Sequence, residues 1–439
     1  MANYGTGLDA SIGFASETTF NQVPTSPTWR FLPLTSETIN RQKKTVQSMG
    51  LRGGLIQTPL AAQRRISTRE AKGNIVVDVQ NQNMGVLFNN MLGSSSSAST
   101  GAAYTWTHTL GGLKGKSLSV QVARPSADGV INPFNYTGGK IADWELTLDT
   151  SSLLGLNLGM DFADETTTAN GPTISTITQT GTAGAVTYYY RISAVVGGVE
   201  QVAGPELSTA TSNATLNSTN YNVVSWSTVT GATSYNVYRS TTSGAELKIG
   251  TSATTSYNDQ SNTAGSGAPI NPLLATPSYS SVTGTQAMAP YSFTDVSTLT
   301  LGGASVAAVK KISIKSTTPA KTDRFYLGSA GVKAEQVTNG YRMVSGTLDC
   351  EFVSLTALYA AYAADTQLAF VFKATQPTLI SSTSTPFSLQ VDIPAMFLEG
   401  DSPNVAGPDI LTQSVPFVGL YDGTNSAIKI TQVTADSSL

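Results

Sequence analysis

The sequence predicts a mainly β protein, and three observations carry that expectation. Only 12% of its 439 residues are charged, and Thr, Ser, Gly and Asn abound, which suits many short strands and turns better than long solvated helices. Several segments alternate apolar and polar residues strictly, most clearly "IADWELTLD" from Ile141 to Asp149, the period of a strand with one buried face. No run of about 18 apolar residues occurs that would cross a bilayer as a helix. The opening "MANYGTGLDASIGF" has neither a basic segment nor an apolar core of the export type, so a soluble chain made in a cytoplasm is expected.

From the N-terminus, "IGFASETTFNQVPTSPTWRFLPLTSETI" (Ile12 to Ile39) mixes short apolar runs with turn formers. A basic stretch follows, with Arg41, Lys43, Lys44, Arg52, Arg64, Arg65 and Arg69 and no acidic residue between the first and the last. It lacks the interleaved aromatics that stack on bases. Next, "NIVVDVQNQNMGVLFNNMLG" from Asn74 reads as a strand followed directly by a short amphipathic helix. A second segment, "SGTLDCEFVSLTALYAAYAA" from Ser345, repeats the pattern. Laid over one another, Asp78 falls on Asp349, Met84 on Leu355, Leu87 on Leu358, Phe88 on Tyr359 and Met91 on Tyr362. Each helix then carries one apolar stripe, and a duplicated strand-plus-helix unit is expected.

Four strands have one polar face. On Ile141 to Asp149 it carries Asp143, Glu145, Thr147 and Asp149 opposite Trp144, Leu146 and Leu148. Asn74, Val76, Asp78 and Gln80 alternate with Ile75, Val77 and Val79, and Asp349 with Glu351 alternates with Leu348, Cys350 and Phe352. Gln390 and Asp392 alternate with Leu389 and Val391. A fifth face bears Lys311, Ser313 and Lys315 opposite Ile312 and Ile314, and is either a charged edge for a partner or an ordinary solvated surface.

Between these parts the apolar period is lost from Ala169 to Thr182 and from Ser261 to Pro277, where Thr, Ser, Gly, Asn and Pro dominate. The boundaries divide the chain into 1–170, an insert at 171–277, and 278–439. Inside the insert, "VVSWSTVTGATSYNVYRS" from Val223 resembles strands B and C of a fibronectin type III domain, with Val224 and Trp226 on one face and Gly231 at the turn. "TYYYRISAV" from Thr187 resembles strand F and comes first. The resulting order F, G, B, C, E implies a permuted sandwich without strand A, both ends at one pole. Trp226, Tyr235, Tyr238 and Tyr190 are either core residues or an exposed sugar-binding platform.

Charge and motifs exclude several functions. The formal net charge of −3 is not that of a phosphate-neutralising nucleic-acid binder. Cys350 and His108 are each alone, which removes internal disulfides and metal-ligand clusters and makes His108 structural. There is no nucleophile elbow, Walker loop or dinucleotide fingerprint in workable context. Acidic pairs at sheet spacing do not make a glycosidase dyad. No enzyme activity, metal or cofactor is expected.

Outside the insert, the segment from Ile12 to Ile39, the basic stretch "SMGLRGGLIQTPLAAQRRISTREAKGNI", "NMGVLFNNMLGS", "KKISIKSTTPAKTDRFYLGS" and "IPAMFLEGD" with "LTQSVPFVGLYDGTNSAIKI" resemble the tail tube, or major tail, proteins of long-tailed bacteriophages. The resemblance implies packed β-sheets of sandwich or barrel type with short flanking helices, whose inner sheets join around rings that stack into a hollow tube in the virion. It makes the basic stretch an arm that reaches a neighbouring subunit or ring, and the insert a module projecting outward. Asp78, Asp143, Glu145, Asp149, Asp349, Glu351 and Asp392 become candidates for lining the bore, because carboxylates let a duplex slide where cations would hold it. They equally suit a solvated sheet face. Duplication allows either a trimer of two-unit chains or a hexamer. Implied partners are copies of the chain, the tape measure, tail terminator and distal tail proteins, and DNA in transit without specific binding. A tail or surface adhesin that binds host glycans through the insert is the competing reading.

Overall fold

The computed structural model describes residues 5–24, 28–50, 58–127, 131–167, 171–196, 198–269, 277–279, 286–306, 308–353, 358–400, 405 and 407–439. The first part of the chain forms β1 (Ser11–Ser16), β2 (Arg30–Leu32), β3 (Leu34–Glu37), β4 (Asn40–Gln47), β5 (Arg64–Asp78), α1 (Gly85–Leu92), β6 (Gly93–Thr100), β7 (Ala103–Leu110), β8 (Leu118–Pro125), β9 (Ile131–Asp149), β10 (Gly155–Phe162) and β11 (Asp164–Thr166). The middle forms β12 (Ile174–Thr180), β13 (Val186–Val196), β14 (Val199–Glu200), β15 (Leu207–Ser212), β16 (Tyr221–Trp226), β17 (Ala232–Ser240), β18 (Leu247–Ser252) and β19 (Ser256–Asp259). The last part forms β20 (Val296–Leu301), β21 (Ala304–Ser305), β22 (Val309–Thr317), β23 (Ala320–Lys321), β24 (Val337–Thr338), β25 (Met343–Glu351), α2 (Ala360–Ala363), β26 (Leu368–Leu379), β27 (Pro386–Leu398), β28 (Thr412–Leu420) and β29 (Lys429–Thr434).

Two units share one pairing order. In the first, antiparallel neighbours run β1, β8, β9, β10, β5, β3. In the second they run β20, β26, β27, β28, β25, β22. The units are stitched together where β9 pairs with β22, and again where β29 bridges β27 and β7. One hydrophobic core, including Trp144, Leu156, Ile314, Leu348, Phe372 and Phe417, runs through both units.

The helices differ from the sequence expectation. α1 is buried all round except at Asn89, because the β6–β7 hairpin, paired from Gly93↔Leu110 to Thr100↔Ala103, follows it directly and packs on it. Its counterpart α2 is a four-residue turn of helix with no buried residue. Of the matched positions, Leu358 is buried and Tyr362 is 36% exposed, while Leu355 lies outside the described residues. No such hairpin follows α2: the chain passes from it straight into β26, so nothing equivalent encloses it.

The middle segment makes two sheets of its own. One has the order β12, β16, β19; the other has β15, β13, β17, β18, with β14 folded back on β13. They enclose a separate core around Tyr190, Ile192, Ala194, Val224 and Trp226. A strand that the sequence pattern did not predict, β12, precedes Thr187, and the expected arrangement with both ends at one pole does not hold. β12 starts at Ile174↔Trp226, whereas β19 ends at Asp259 beside Asn222. The outer strands therefore enter and leave at opposite poles, since one added antiparallel strand reverses the entry. Tyr190, Trp226, Tyr235 and Tyr238 are all buried, and offer no exposed sugar platform.

Candidate functional site

Cross-strand register gathers most of the acidic candidates onto one face. Because opposed residues in a ladder point to the same side, rows can be followed across six strands. One row reads Val76, Asn157, Glu145, Lys315, Ser345 and Val418. The next reads Asp78, Gly155, Thr147, Ser313, Thr347 and Pro416, and beyond it Asp149, Lys311, Asp349 and Ser414 stand side by side. The opposite face carries Val77, Leu156, Leu146, Ile314 and Phe417, all in the core. Asp78, Asp143, Glu145, Asp149, Asp349 and Glu351 thus share a polar surface with Lys311 and Lys315. The lysines lie among carboxylates on the middle strand rather than at an edge.

Local bonds hold several of these groups. Ser313 Oγ donates to Glu145 Oε1 at 2.6 Å. Ser151 donates its N–H and its hydroxyl to Asp149 Oδ1, which keeps that carboxyl below the ordinary range. Partial burial pushes the Asp78 carboxyl up, and Glu351 pairs with Lys310 at 2.8 Å. Gly159 makes room for Asp143: a Cβ there would stand 2.5 Å from Asp143 Oδ2.

One candidate, Asp392, and one further polar-face residue, Gln80, are placed elsewhere. Asp392 is buried on a part of β27 that pairs with β26 and β29 instead of β28, accepts from Gln390 Nε2 at 2.7 Å and meets Lys429 at 3.1 Å. Gln80 lies past the end of β5, buried, with its amide turned to the Asp78 carbonyl. Neither belongs to the six-strand face.

The basic stretch is a ribbon rather than a loop: β4 pairs with β5 from Asn40↔Lys72 to Gln47↔Arg64. Arg41 and Arg69 are held inside the chain by Asp164, at 3.6 and 3.0 Å. Lys43, Lys44, Arg64 and Arg65 are exposed, while Arg52 lies outside the described residues. Exposed apolar residues sit among them: Val46 (51%), Met49 (75%), Leu60 (38%) and Ile66 (56%).

Sequence reasoning missed a buried ion network under this arm. Lys333, fully enclosed, reaches Glu70 Oε2 at 2.6 Å and Asp161 Oδ1 at 2.5 Å. Lys72 adds a contact to Glu70 at 3.1 Å, Gln336 donates to Asp161, and Lys140 pairs with Glu335 at 2.7 Å. These groups come from β5, β9, β10 and the connection between β22 and β25, so no local spacing signals them. His108 is fully buried, its Nδ1 2.7 Å from Ser95 Oγ and its ring beside Phe88 and Trp106, and burial lowers its pKa to about 4.

Among the described residues no group of His, Cys, Asp and Glu side chains is arranged to hold a metal ion, and no helix is long and apolar enough to cross a membrane. The site is thus a surface: an extended polar face, an exposed cationic ribbon, and sheet edges. No curated protein matches the chain. The family model for the phage tail tube protein matches residues 7–419, through both β units and the segment between them, and the chain belongs to that family of structural virion tail proteins.

Proposed function

We propose that this tail protein self-assembles into stacked rings that form the conduit for phage DNA, with the six-strand polar face turned to the bore. The observation that carries this reading is the continuity of that face across β5, β10, β9, β22, β25 and β28. Six carboxylates flanking two lysines leave it net negative, and a net negative, water-solvated wall repels phosphates and has nothing to trap a passing duplex. Assembly through sheet edges also covers strands that would otherwise invite aggregation. The matching order of the two units supports three chains per ring, which would present six units around the axis. Residues 171–277, read as a fibronectin-like module, would project outward. The tape measure, terminator and distal tail proteins are the expected neighbours, with assembly in the host cytoplasm before incorporation into the virion.

Electron microscopy of the purified chain tests the reading. Hollow tubes with Asp143, Glu145 and Asp349 facing the bore are expected; a monodisperse monomer, or a ring with these residues on its outer wall, would refute it.

A further inference from the structure

The joint between the two units of one chain is complete, and an equivalent joint is half present at each end of the chain. Inside the chain, β22 pairs with β9, Glu145 opposite Lys315 and Asp149 opposite Lys311. The connection that follows β22 then crosses over the first unit, where Lys333, Glu335 and Gln336 bind Glu70, Asp161 and Lys140.

Register transfers these positions to the second unit. Leu156 pairs with Val77 and Val415 with Leu348, and Val77 corresponds to Leu348 through the Asp78 and Asp349 match. Asp161 therefore corresponds to Leu420, Lys72 to Met343 and Glu70 to Tyr341. Lys140, opposite Asp161, corresponds to Ala395, opposite Leu420. Among the described residues, no segment crosses this place in the second unit as the β22–β25 connection crosses the first. It is an open groove of about 860 Å³ lined by Tyr341, Met343, Pro394, Leu420 and Tyr421, with Tyr341 91%, Met343 52% and Tyr421 66% exposed.

The segment that would fill it is also identifiable. The filler in the first unit is the connection from β22 to β25, and its counterpart is the β4–β5 ribbon, which connects the strands of the same rank. We infer that in the ring this ribbon of one copy lies in the groove beside Tyr341, Met343 and Leu420 of the next copy. β3 of the first copy then lies along the second copy's β27 end at Phe397–Leu398, as β22 lies along β9 at Asp143–Trp144. Among the described residues β3 has a ladder on one side only, with β5. The inference rests on the ring reading above and names its contact.

Chemistry favours this occupant. The positions that carry Glu70, Lys72 and Asp161 in the first unit carry Tyr341, Met343 and Leu420 in this groove, whose remaining lining includes Arg342, Asn425 and Lys429, and the ribbon exposes Val46, Met49, Leu60 and Ile66, apolar groups of the kind that form the core of an interface. Of the two cations in the groove's lining, Lys429 is paired with Asp392 and Arg342 is held by the carbonyls of Leu92 and Gly111, at 2.9 and 2.6 Å, so the ribbon's apolar residues rather than its cations are the groups that match this surface.

A photo-crosslinker tests the contact in the full chain. With Tyr341→p-benzoylphenylalanine, irradiation of assembled protein made from mixed light and heavy isotope chains should give light-heavy crosslinks into residues 41–69. Leu420→Lys, with unchanged folding by circular dichroism, should raise the concentration needed for assembly by about tenfold or more, as for a central interface residue. Crosslinks elsewhere in rings that still form, or assembly indifferent to Leu420→Lys, would overturn the contact and leave the ring reading standing. Unmodified chain that never forms rings would sink both.

Discussion

Acidification should destabilise the first unit through His108, by an amount the structure sets. The imidazole is fully buried against Phe88 and Trp106, and burial holds it at about 4 where the ordinary value is 6.5. As pH falls, the unfolded chain takes up this proton first, so between about 6.5 and 4 the unfolded state binds more protons and stability declines with falling pH. At roughly 1.4 kcal/mol per pH unit, the whole window is worth about 3 kcal/mol. Below about 4 both states carry the proton and this loss stops. Urea unfolding of the full chain and of His108→Gln across the window isolates the effect, because glutamine keeps a partner for Ser95 and does not titrate. Glu17 responds in the opposite sense: burial raises its carboxyl, so its contribution declines as pH rises above the ordinary range. It is common to both proteins and cancels in their difference. The stability difference between the two proteins should shift by about 3 kcal/mol across the window, the wild-type chain losing ground as pH falls; parallel curves would refute the assignment.

Three other outcomes are expected. Lys333→Ala leaves Asp161, 4% exposed, without its nearest cation, and should cost about 3–5 kcal/mol, with protease cutting appearing first between β23 and β24; an unchanged melting curve would contradict the buried network. Gly159→Val pushes a methyl-bearing carbon into the Asp143 carboxylate and should cost about 1–3 kcal/mol, most of it recovered in the Gly159→Val, Asp143→Ala double variant; equal losses with and without Asp143 would point to the backbone instead. Deleting residues 171–277 should leave tube formation intact by electron microscopy, and failure to assemble would show that the module is not detachable.

What could be read from the sequence was whatever depends on neighbours along the chain. Alternation in Ile141 to Asp149 put Trp144, Leu146 and Leu148 in the core, and the isolation of His108 marked it as structural. β12 escaped because Ile174 to Thr180, "ISTITQT", has two apolar residues out of register with strict alternation, so its partner β16 rather than its own pattern makes it a strand. Asp392 alternates as regularly as Asp349, yet it belongs to a stretch of β27 that faces β26 and β29; alternation assigns a side of a strand, not a place in a sheet. The β9–β22 joint and the Lys333 network depend on residues far apart in sequence, for which a single chain offers no local signal.

The joint within the chain and the one proposed between copies differ in chemistry for a physical reason. Within one chain the second unit is tethered to the first, so its effective concentration is high and the joint has no association entropy to overcome. Such a contact can be built from Lys333, Glu70 and Asp161, whose mutual attraction does little more than offset their desolvation but penalises any other seating. A joint between separate copies must overcome the loss of translational and rotational freedom, and burial of apolar surface supplies that driving force. The replacement of Glu70, Lys72 and Asp161 by Tyr341, Met343 and Leu420 at matching register is the change such a demand would select. The experiment that separates these roles is Tyr341→Lys with Leu420→Lys, which removes the apolar surface and offers the ribbon's exposed Lys43, Lys44, Arg64 and Arg65 no carboxylate: it should abolish assembly while leaving the fold of each chain intact, and rings that form normally from this variant would show that apolar burial in the groove is not what holds the copies together.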